Sequence, residues 1–170
     1  MTNMIASSAE WRRLSPGIRS LIERYQSHVP VDLQGLAKAL GLPVKAATLP
    51  PGRSGEIRPD GSGGYIIRVN RHDNPGRQRF TVAHEIAHFL LHRELIGAGI
   101  SDDALYRSNQ SDRVEAQANR LAADLVMPAA MVEDAMSKAE QFGSPDVAAQ
   151  LAATFLVSPS AMSIRLGMAG

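Results

Sequence analysis

The chain has 170 residues, of which 44% are hydrophobic and 21% are charged, a length and composition typical of one globular domain that folds without disulfides. The chain has 18 Lys and Arg against 17 Asp and Glu, a formal net charge of +1. This balance excludes a strong overall electrostatic attraction to nucleic acid or to an anionic membrane. The absence of cysteine excludes thiolate nucleophiles and thiolate metal sites, and it fits a reducing compartment.

The N-terminal stretch does not have the features of a secretory signal. Residues 1–20 contain no apolar core of roughly 7 to 15 residues, and no run in the chain approaches the roughly 18 apolar residues of a membrane span. We therefore predict a cytoplasmic protein with no membrane partner.

The first half of the chain predicts two short helices and then strands. Residues 1–15 are expected to form a loose lead-in to a single domain over residues 16–170. Apolar residues at helical spacing mark the helices, in "PGIRSLIERYQSH" and "VDLQGLAKALGL". Strand-like pieces then lie at 44–49, 55–58 and 65–70, and the last two are expected to form a hairpin around the turn "PDGSGG".

The second half of the chain is predicted to be helical. Asn74 as N-cap and Pro75 at the first helical position begin a helix that runs to about Arg93. A polar loop follows at 97–110, and Ser111 is expected to cap the next helix. Three more helices are predicted in "PAAMVEDAMSKAEQF", "SPDVAAQLAATFL" and "SPSAMSIRLG". These elements predict one α+β domain in which several helices pack around a short three-stranded sheet.

The segment "TVAHEIAHFLLH" contains the H-E-x-x-H pattern within the long predicted helix. His84 and His88 lie four residues apart on one face, so both imidazoles can converge on one ion. Zinc is the natural candidate, because a catalytic zinc site uses three protein ligands and leaves a fourth position for water. Glu85 projects about 100° away from His84 around the helix, which suits a general base better than a ligand.

The same pattern has a structural alternative. A buried amphipathic helix can hold two histidines that bond to backbone or carboxylate partners and bind no metal. The surrounding residues are apolar, as a buried helix at a metal site requires. The donor types also do not separate zinc from Mn²⁺ or Fe²⁺ in the cell.

A third metal ligand must come from another part of the chain. His92 continues the spacing, but eight residues of helix place it about 12 Å along the axis and about 80° around from His84, out of reach of the same ion. Glu115 in "VEAQANRLAADLVMP" is the better candidate, because it lies beside the apolar stripe of its helix. Its structural alternative is a solvated position, and Asp112 and Asp124 are the fallback ligands.

Asn119 and His92 are expected to support the ligands rather than to bind the ion. Asn119 lies one helical turn after Glu115 and can orient it through a hydrogen bond. His92 is expected either to support a ligand or the helix end, or to be an ordinary structural histidine.

These residues together resemble a known family. "FTVAHEIAHFLLH", followed 27 residues after His88 by Glu115 in "EAQANRLAADLVMP", resembles the ImmA/IrrE family of bacterial metallopeptidases, and the resemblance runs from about residue 17 to the tail "LAATFLVSPSAMSIRLG". It implies a compact zincin-like fold, with helices around a short three-stranded sheet. It also implies that His84, His88 and Glu115 bind zinc and that Glu85 activates water. Because characterised members cleave helix-turn-helix transcriptional repressors, the resemblance implies such a repressor as substrate.

The chain departs from the family pattern in small ways. Members often carry Gly at the position of Ala87 and Phe at that of Leu121, and neither change should disturb a zinc site. A separate helix-turn-helix or sensor domain, which some longer members have, is also lacking, so regulation through a fused domain is not expected.

Peptide hydrolysis needs further groups, for which the sequence offers candidates. Tyr106 and His92 are the candidate donors to the oxyanion, although for Tyr106 an anchor that packs its loop is the favoured alternative. The strand "GYIIRVN" is the candidate edge for an extended substrate, with an interior strand as the alternative. Four arginines can meet an acidic substrate or lie on a solvated face: Arg68, Arg71, Arg77 and Arg79.

Two other functions compete with a peptidase. The C-terminal helix pair has the proportions of a DNA-binding helix-turn-helix, but Asp146 and Arg165 are the only charges in residues 141–170, so no direct nucleic acid binding is expected. A non-catalytic metal-binding module could instead bind and regulate a repressor or toxin partner. Glu85 separates this possibility from a peptidase, because a structural metal site has no use for a carboxylate that lies beside the ion and is not a ligand.

Overall fold

The computed structural model describes residues 5–97 and 109–168, without the side chains of residues 109–111. This part of the chain has the predicted α+β class, with eight α-helices and one small sheet. The helices are α1 (Ala9–Arg13), α2 (Pro16–Arg24), α3 (Leu33–Ala39), α4 (Pro75–Leu91), α5 (Asn109–Val126), α6 (Ala129–Gln141), α7 (Val147–Phe155) and α8 (Pro159–Arg165). A short 3-10 helix, Arg93–Leu95, follows α4.

Three strands form one mixed sheet in the order β1-β3-β2, where β1 is Val44–Ala47, β2 is Gly55–Pro59 and β3 is Tyr65–Asn70. The predicted hairpin of β2 and β3 is confirmed, with Ile57 opposite Ile67, and β1 runs parallel to β3. The expectation that "GYIIRVN" is an edge is wrong, because β2 pairs with one side of β3 and β1 pairs with the other. The edge strands of the sheet are β1 and β2.

Helix α4 lies at the centre of the fold, between the sheet and α5. It is apolar around most of its circumference, and a helix of this kind is stable only when it is covered on several sides. Ile86 and Ala87 of α4 are fully buried, as are Leu121 of α5 and Ile57 of β2. The long helix that carries the H-E-x-x-H motif is therefore held by the main hydrophobic core.

The starts of two helices follow from the local sequence. The side chain of Asn74 accepts a hydrogen bond of 2.9 Å from the backbone N–H of Arg77, which caps α4 as predicted. Ser158 caps α8 in the same manner. The cap predicted at Ser111 is wrong, because α5 begins at Asn109.

The segment before residue 16 was expected to be a loose lead-in, but it contains α1 and is bonded to α5. The backbone N–H and the hydroxyl of Ser8 both donate to the carboxylate of Asp124. The carboxylate of Glu10 is buried and pairs with Arg120. A buried carboxylate needs such a partner, so this ion pair fixes α1 against α5. A domain boundary at residue 16 stays a prediction.

The C-terminal helices α7 and α8 form a corner that packs on the rest of the fold. Phe155 and Met162 are fully buried. Arg165 donates from Nη2 to Asp124 Oδ1 at 2.9 Å and from Nε to the carbonyl of Met127 at 3.0 Å, which ties α8 to α5. Among the described residues no single helix is long and apolar enough to cross a membrane, and the pair that passes on length and composition, α7 with α8, is bent by 110°.

Candidate metal centre

Three potential metal ligands come together where α4 and α5 cross. His84 Nε2 is 3.1 Å from His88 Nε2. Of the two carboxylate oxygens of Glu115, Oε2 lies 2.9 Å from His84 Nε2 and Oε1 lies 2.9 Å from His88 Nε2. The four-residue spacing places the two imidazoles on one face of α4, and the packing of α5 brings the carboxylate to them. The residues that the sequence singled out as ligands are therefore neighbours in space.

The geometry of this cluster fits a divalent metal ion. Ligands about 2.0 to 2.1 Å from a tetrahedral zinc ion lie about 3.3 Å from one another. The donor atoms of His84, His88 and Glu115 are already 2.9 to 3.1 Å apart. Two imidazole nitrogens and a carboxylate oxygen are also a ligand set that leaves a fourth position open in catalytic zinc sites. Small side-chain movements are enough for these residues to hold a metal ion.

A hydrogen bond to Asn119 fixes the tautomer of His84. Asn119 Oδ1 lies 2.8 Å from His84 Nδ1, and because an amide oxygen can only accept, Nδ1 carries the proton. The Nε2 atom of neutral His84 then presents its lone pair towards the cluster, as a metal ligand must. Asn119 was expected to orient Glu115, but this hydrogen bond orients His84 instead.

A second chain of hydrogen bonds orients His88. Its Nδ1 lies 2.9 Å from His92 Nδ1, and His92 Nε2 lies 2.8 Å from Gln117 Oε1. Because the Gln117 oxygen accepts, neutral His92 carries its proton on Nε2 and accepts at Nδ1 from His88. In this tautomer the Nε2 lone pair of His88 is available to a metal ion. His92 is also the C-cap residue of α4. It therefore contacts a candidate ligand, His88, and ends the helix as well.

Gln117 is the residue at this site that the sequence did not indicate. It lies two positions after Glu115, about 200° around α5, so no periodic argument groups the two residues. Its contact with the cluster passes through His92, from the preceding helix. Only the crossing of α4 and α5 reveals this contact.

The protonation states of the cluster also suit metal binding. Burial raises the pKa of Glu115, but in the metal-free states in which Nε2 of His84 or His88 carries a proton, hydrogen bonds from these atoms outweigh burial and lower the pKa to about 2. Burial lowers the pKa of His88. Burial likewise acts to lower the pKa of His84, but Glu115 and Glu85 outweigh it, and the pKa is raised. At neutral pH a metal ion therefore meets an ionised carboxylate and a neutral His88, and competes mainly with the proton of His84.

Glu85 is buried beside these residues, and it lines the same cleft. The start of strand β2 passes very close to it. A Cβ atom on Gly55 would lie 2.3 Å from Thr81 Cγ2 and 3.8 Å from Glu85 Cγ. Gly55 has no side chain and so permits this approach, which sets the edge strand against the turn of α4 that carries Glu85.

The cleft that leads to the cluster has a volume of about 870 Å³. Gly52, Gly55 and the start of α4 line one part of it, and the corner between α7 and α8 around Leu156 lines another. His84, Glu85 and Glu115 line the cleft as well. A cleft of this size can take a segment of another molecule into contact with the candidate metal ligands.

Other residues that the sequence proposed lie apart from the cluster. Among the four arginines, Arg77 lines the cleft and donates to Ser54 Oγ at 2.8 Å. The other three bond elsewhere in the fold, Arg68 to Glu56, Arg71 to the carbonyl of Ala46 and Arg79 to the carbonyl of Val31. The fallback ligand Asp124 is bonded to Ser8 and Arg165, and Asp112 is exposed. Tyr106 lies outside the described residues.

Comparison with known proteins supplies a family match. The model of the IrrE N-terminal-like domain matches residues 37–167, a range that contains every residue of the cluster. The chain is 36% identical over 78 residues to the radiation response metalloprotease IrrE of Deinococcus deserti, and 28% identical over 85 residues to the metallopeptidase ImmA of Bacillus subtilis. A solved structure of a Mycobacterium tuberculosis transcriptional regulator has a similar fold, with a TM-score of 0.55 at 15% sequence identity.

These matches cover parts of longer proteins. The IrrE match covers 44% of this chain and 26% of IrrE, and the ImmA match covers 50% of this chain and 47% of ImmA. The similarity to the solved regulator covers 89% of this chain and 47% of that chain. The matched regions thus span about a quarter to a half of the length of these proteins.

Proposed function

The chain belongs to the family of IrrE N-terminal-like domains, and from that premise we propose that it is a zinc-dependent endopeptidase that hydrolyses a peptide bond in a protein substrate. The observation that carries this proposal is the cluster of His84, His88 and Glu115, with Glu85 beside it in an open cleft. The two relatives named as metallopeptidases support the same chemistry.

In this proposal His84, His88 and Glu115 hold the metal ion. Zinc is the proposed ion, and Mn²⁺ or Fe²⁺ are the alternatives in the cell. A zinc ion bound there supplies Lewis acidity, which polarises a substrate carbonyl and makes water easier to deprotonate. Asn119 and the pair of His92 and Gln117 hold the two imidazoles in the tautomers that bind metal.

Glu85 is the proposed general base. It takes a proton from the attacking water and then delivers a proton to the nitrogen that leaves when the peptide bond breaks. Its place on α4, one residue after His84, keeps the carboxylate beside the metal while the histidines act as ligands. Tyr106 is the proposed donor to the oxyanion, because both ring nitrogens of His92 are within hydrogen-bond distance of His88 and Gln117.

Strand β2 is the proposed guide for an extended substrate. It is an edge strand, and its first residue, Gly55, lines the cleft next to the candidate metal ligands. An extended peptide can add to such an edge through main-chain hydrogen bonds, which hold it without demanding a particular sequence.

We propose a helix-turn-helix transcriptional repressor as the substrate and the cytoplasm as the site of action. Support comes from the resemblance of "FTVAHEIAHFLLH" and "EAQANRLAADLVMP" to the ImmA/IrrE family. Direct binding to nucleic acid is not part of the proposal, because residues 141–170 contain one acidic and one basic residue and so carry no net charge.

Cleavage of a repressor by the zinc-loaded chain tests this proposal. Candidate helix-turn-helix repressors from the source organism are incubated with wild type and with Glu85→Gln, and the products are identified by intact mass spectrometry. We expect cleavage by wild type and a loss of about 100-fold or more in Glu85→Gln, with the metal content of the variant unchanged. An equal rate in the variant would contradict the role of Glu85 as the base.

The same experiment separates the peptidase from a non-catalytic metal-binding module. Such a module would bind a repressor without cutting it, and Glu85→Gln would then retain full activity in a cellular assay of repressor release. The position of Glu85 in the cleft, beside the three candidate ligands, favours the peptidase, because a non-catalytic metal site held by three protein ligands does not need a further carboxylate that is not a ligand.

A further inference from the structure

We infer that the corner between α7 and α8 is a specificity surface that receives a large apolar side chain of the substrate close to the scissile bond. The surface is formed by Leu156, which follows α7, and Ile164 of α8, with Phe80 of α4 beside them in the cleft. The inference rests on the proposed peptidase function and defines part of its substrate class.

The backbone of Leu156 is the first sign that its side chain has a use. Leu156 adopts the left-handed conformation, with φ 55° and ψ 49°. Three other helices, α3, α6 and α8, are followed by a residue of the same handedness, and there it is glycine: Gly41, Gly143 and Gly167. Glycine adopts this conformation without steric strain, whereas leucine does not. The end of α7 therefore carries a large side chain where glycine would suit the fold better.

The exposure of the corner is the second sign. Large hydrophobic residues that are exposed are few among the described residues: Leu95, Phe142, Leu156, Ile164 and Met168. Leu156 is 46% exposed and Ile164 is 66% exposed, and both line the cleft that contains the candidate metal ligands. Neither side chain is fully used in the core, so each retains apolar surface that a partner can cover.

The residues that line the cleft decide what fits at the corner. Ser54, Asn74 and Arg77 bring polar groups to the cleft, whereas Leu156, Ile164 and Phe80 bring large apolar ones. A large aliphatic or aromatic side chain can be removed from water only against these apolar residues.

Charge also favours an apolar occupant at this corner. The two charged residues of residues 141–170 are already in use, since Asp146 caps α7 and Arg165 pairs with Asp124. A charged substrate side chain that lies against Leu156 and Ile164 would thus lose hydration without gaining an ion-pair partner from α7 or α8. We conclude that the occupant is an extended peptide with Leu, Phe or a similar residue near the bond that is cut.

Two substitutions remove the apolar surface with little effect on the fold. Leu156→Asn keeps a residue that tolerates the left-handed conformation, and Ile164→Thr keeps the β-branched shape. Phe142→Ser is the matched control, because Phe142 is 86% exposed and does not line the cleft. Melting temperature and zinc content are measured for each variant, so that a folding defect is recognised.

The probes are short quenched-fluorescence peptides of Ser, Thr and Gly that carry one guest residue, Leu in one peptide and Asn in its partner. We expect zinc-loaded wild type and Phe142→Ser to prefer the Leu peptide by about tenfold or more in kcat/KM. The double variant of Leu156→Asn and Ile164→Thr should lose most of this preference. Equal cleavage of both peptides by wild type, or an unchanged preference in the double variant, would overturn the inference while leaving the peptidase intact.

A binding assay covers the case in which the peptides are not cut. Zinc-loaded Glu85→Gln, with and without the two corner substitutions, is titrated with the same peptides, and fluorescence anisotropy is recorded. A preference for the Leu peptide that the corner substitutions abolish would support the inference even if the proposed peptidase activity fails. If neither peptide binds, or both bind equally, the inference is wrong.

Discussion

Replacement of Gln117 by Leu is expected to weaken zinc binding, although Gln117 is not among the proposed ligands. Its oxygen accepts from His92 Nε2 at 2.8 Å, and His92 Nδ1 in turn lies 2.9 Å from His88 Nδ1. The two Nδ1 atoms share one proton, and the oxygen of Gln117 decides which histidine carries it. Because this oxygen accepts from His92 Nε2, His92 accepts at Nδ1 and His88 donates. With leucine at position 117, this acceptor is lost.

The size of the effect follows from the two states that remain open to the variant. If His92 keeps its proton on Nε2, a buried donor is left without a partner, at a cost of about 1 to 3 kcal/mol. If His92 moves the proton to Nδ1, His88 must carry its own proton on Nε2, where the metal ion has to displace it. The metal-free protein is free to adopt this second arrangement, so the penalty falls on the metal-bound state. At about 1.4 kcal/mol for each factor of ten, zinc affinity should fall by about 10-fold to 100-fold.

Competition with a chromophoric chelator measures the zinc affinity of each variant. Gln117→Glu is the conservative control, because a carboxylate accepts the same hydrogen bond and should retain or strengthen zinc binding. Gln141→Leu, at an exposed position at the end of α6, controls for the change of side chain alone. An affinity of Gln117→Leu within about twofold of wild type would refute the hydrogen-bond argument.

Two further predictions concern the pH dependence and the packing of the site. In the metal-free protein the pKa of Glu115 is lowered from 4.5 to about 2, so its ionised form stabilises the fold above about pH 4.5 and this contribution is lost as the pH falls towards 2. Because the side chain is 31% exposed, solvent screening reduces this contribution. We expect the free energy of unfolding to fall by about 1 kcal/mol from about pH 5 to about pH 3 in wild type, and not to fall in this way in Glu115→Gln. Gly55→Ala should destabilise the protein by about 1 to 3 kcal/mol in urea unfolding, because the new Cβ would lie 2.3 Å from Thr81 Cγ2. Thr81→Ser removes that methyl group and should restore most of the loss, whereas an additive double variant would show that the clash is not the cause.

The local elements were predictable because they depend on neighbours in the chain. Asn74 and Pro75 marked the start of α4, and the four-residue spacing placed His84 and His88 on one face wherever that helix packed. The hairpin of β2 and β3 followed from two strand-like segments around a turn rich in glycine. Helical periodicity also showed that His92 cannot bind the same ion as His84, because the rise and rotation per residue of an α-helix are fixed.

The order of the strands and the position of the N-terminal segment were not predictable in this way. A sequence pattern shows that β3 is apolar, but it does not show which neighbours cover its two sides, and the expected edge proved to be the central strand. Likewise, residues 1–15 were expected to form a loose segment, whereas α5 supplies Asp124 and Arg120 as partners for Ser8 and Glu10. Such pairings join residues more than a hundred positions apart, so no local rule contains them.

The sequence by itself determined the chemistry of the candidate site, since the types and spacing of His84, Glu85 and His88 limit what that face of α4 can bind. The tertiary structure decided how the site is completed. The crossing of α4 and α5 brings Glu115 to the two histidines, turns Asn119 towards His84 and sets Gln117 behind His92. Helical periodicity fixes directions within one helix, whereas the angle and offset between two helices depend on how the side chains of the whole core pack together.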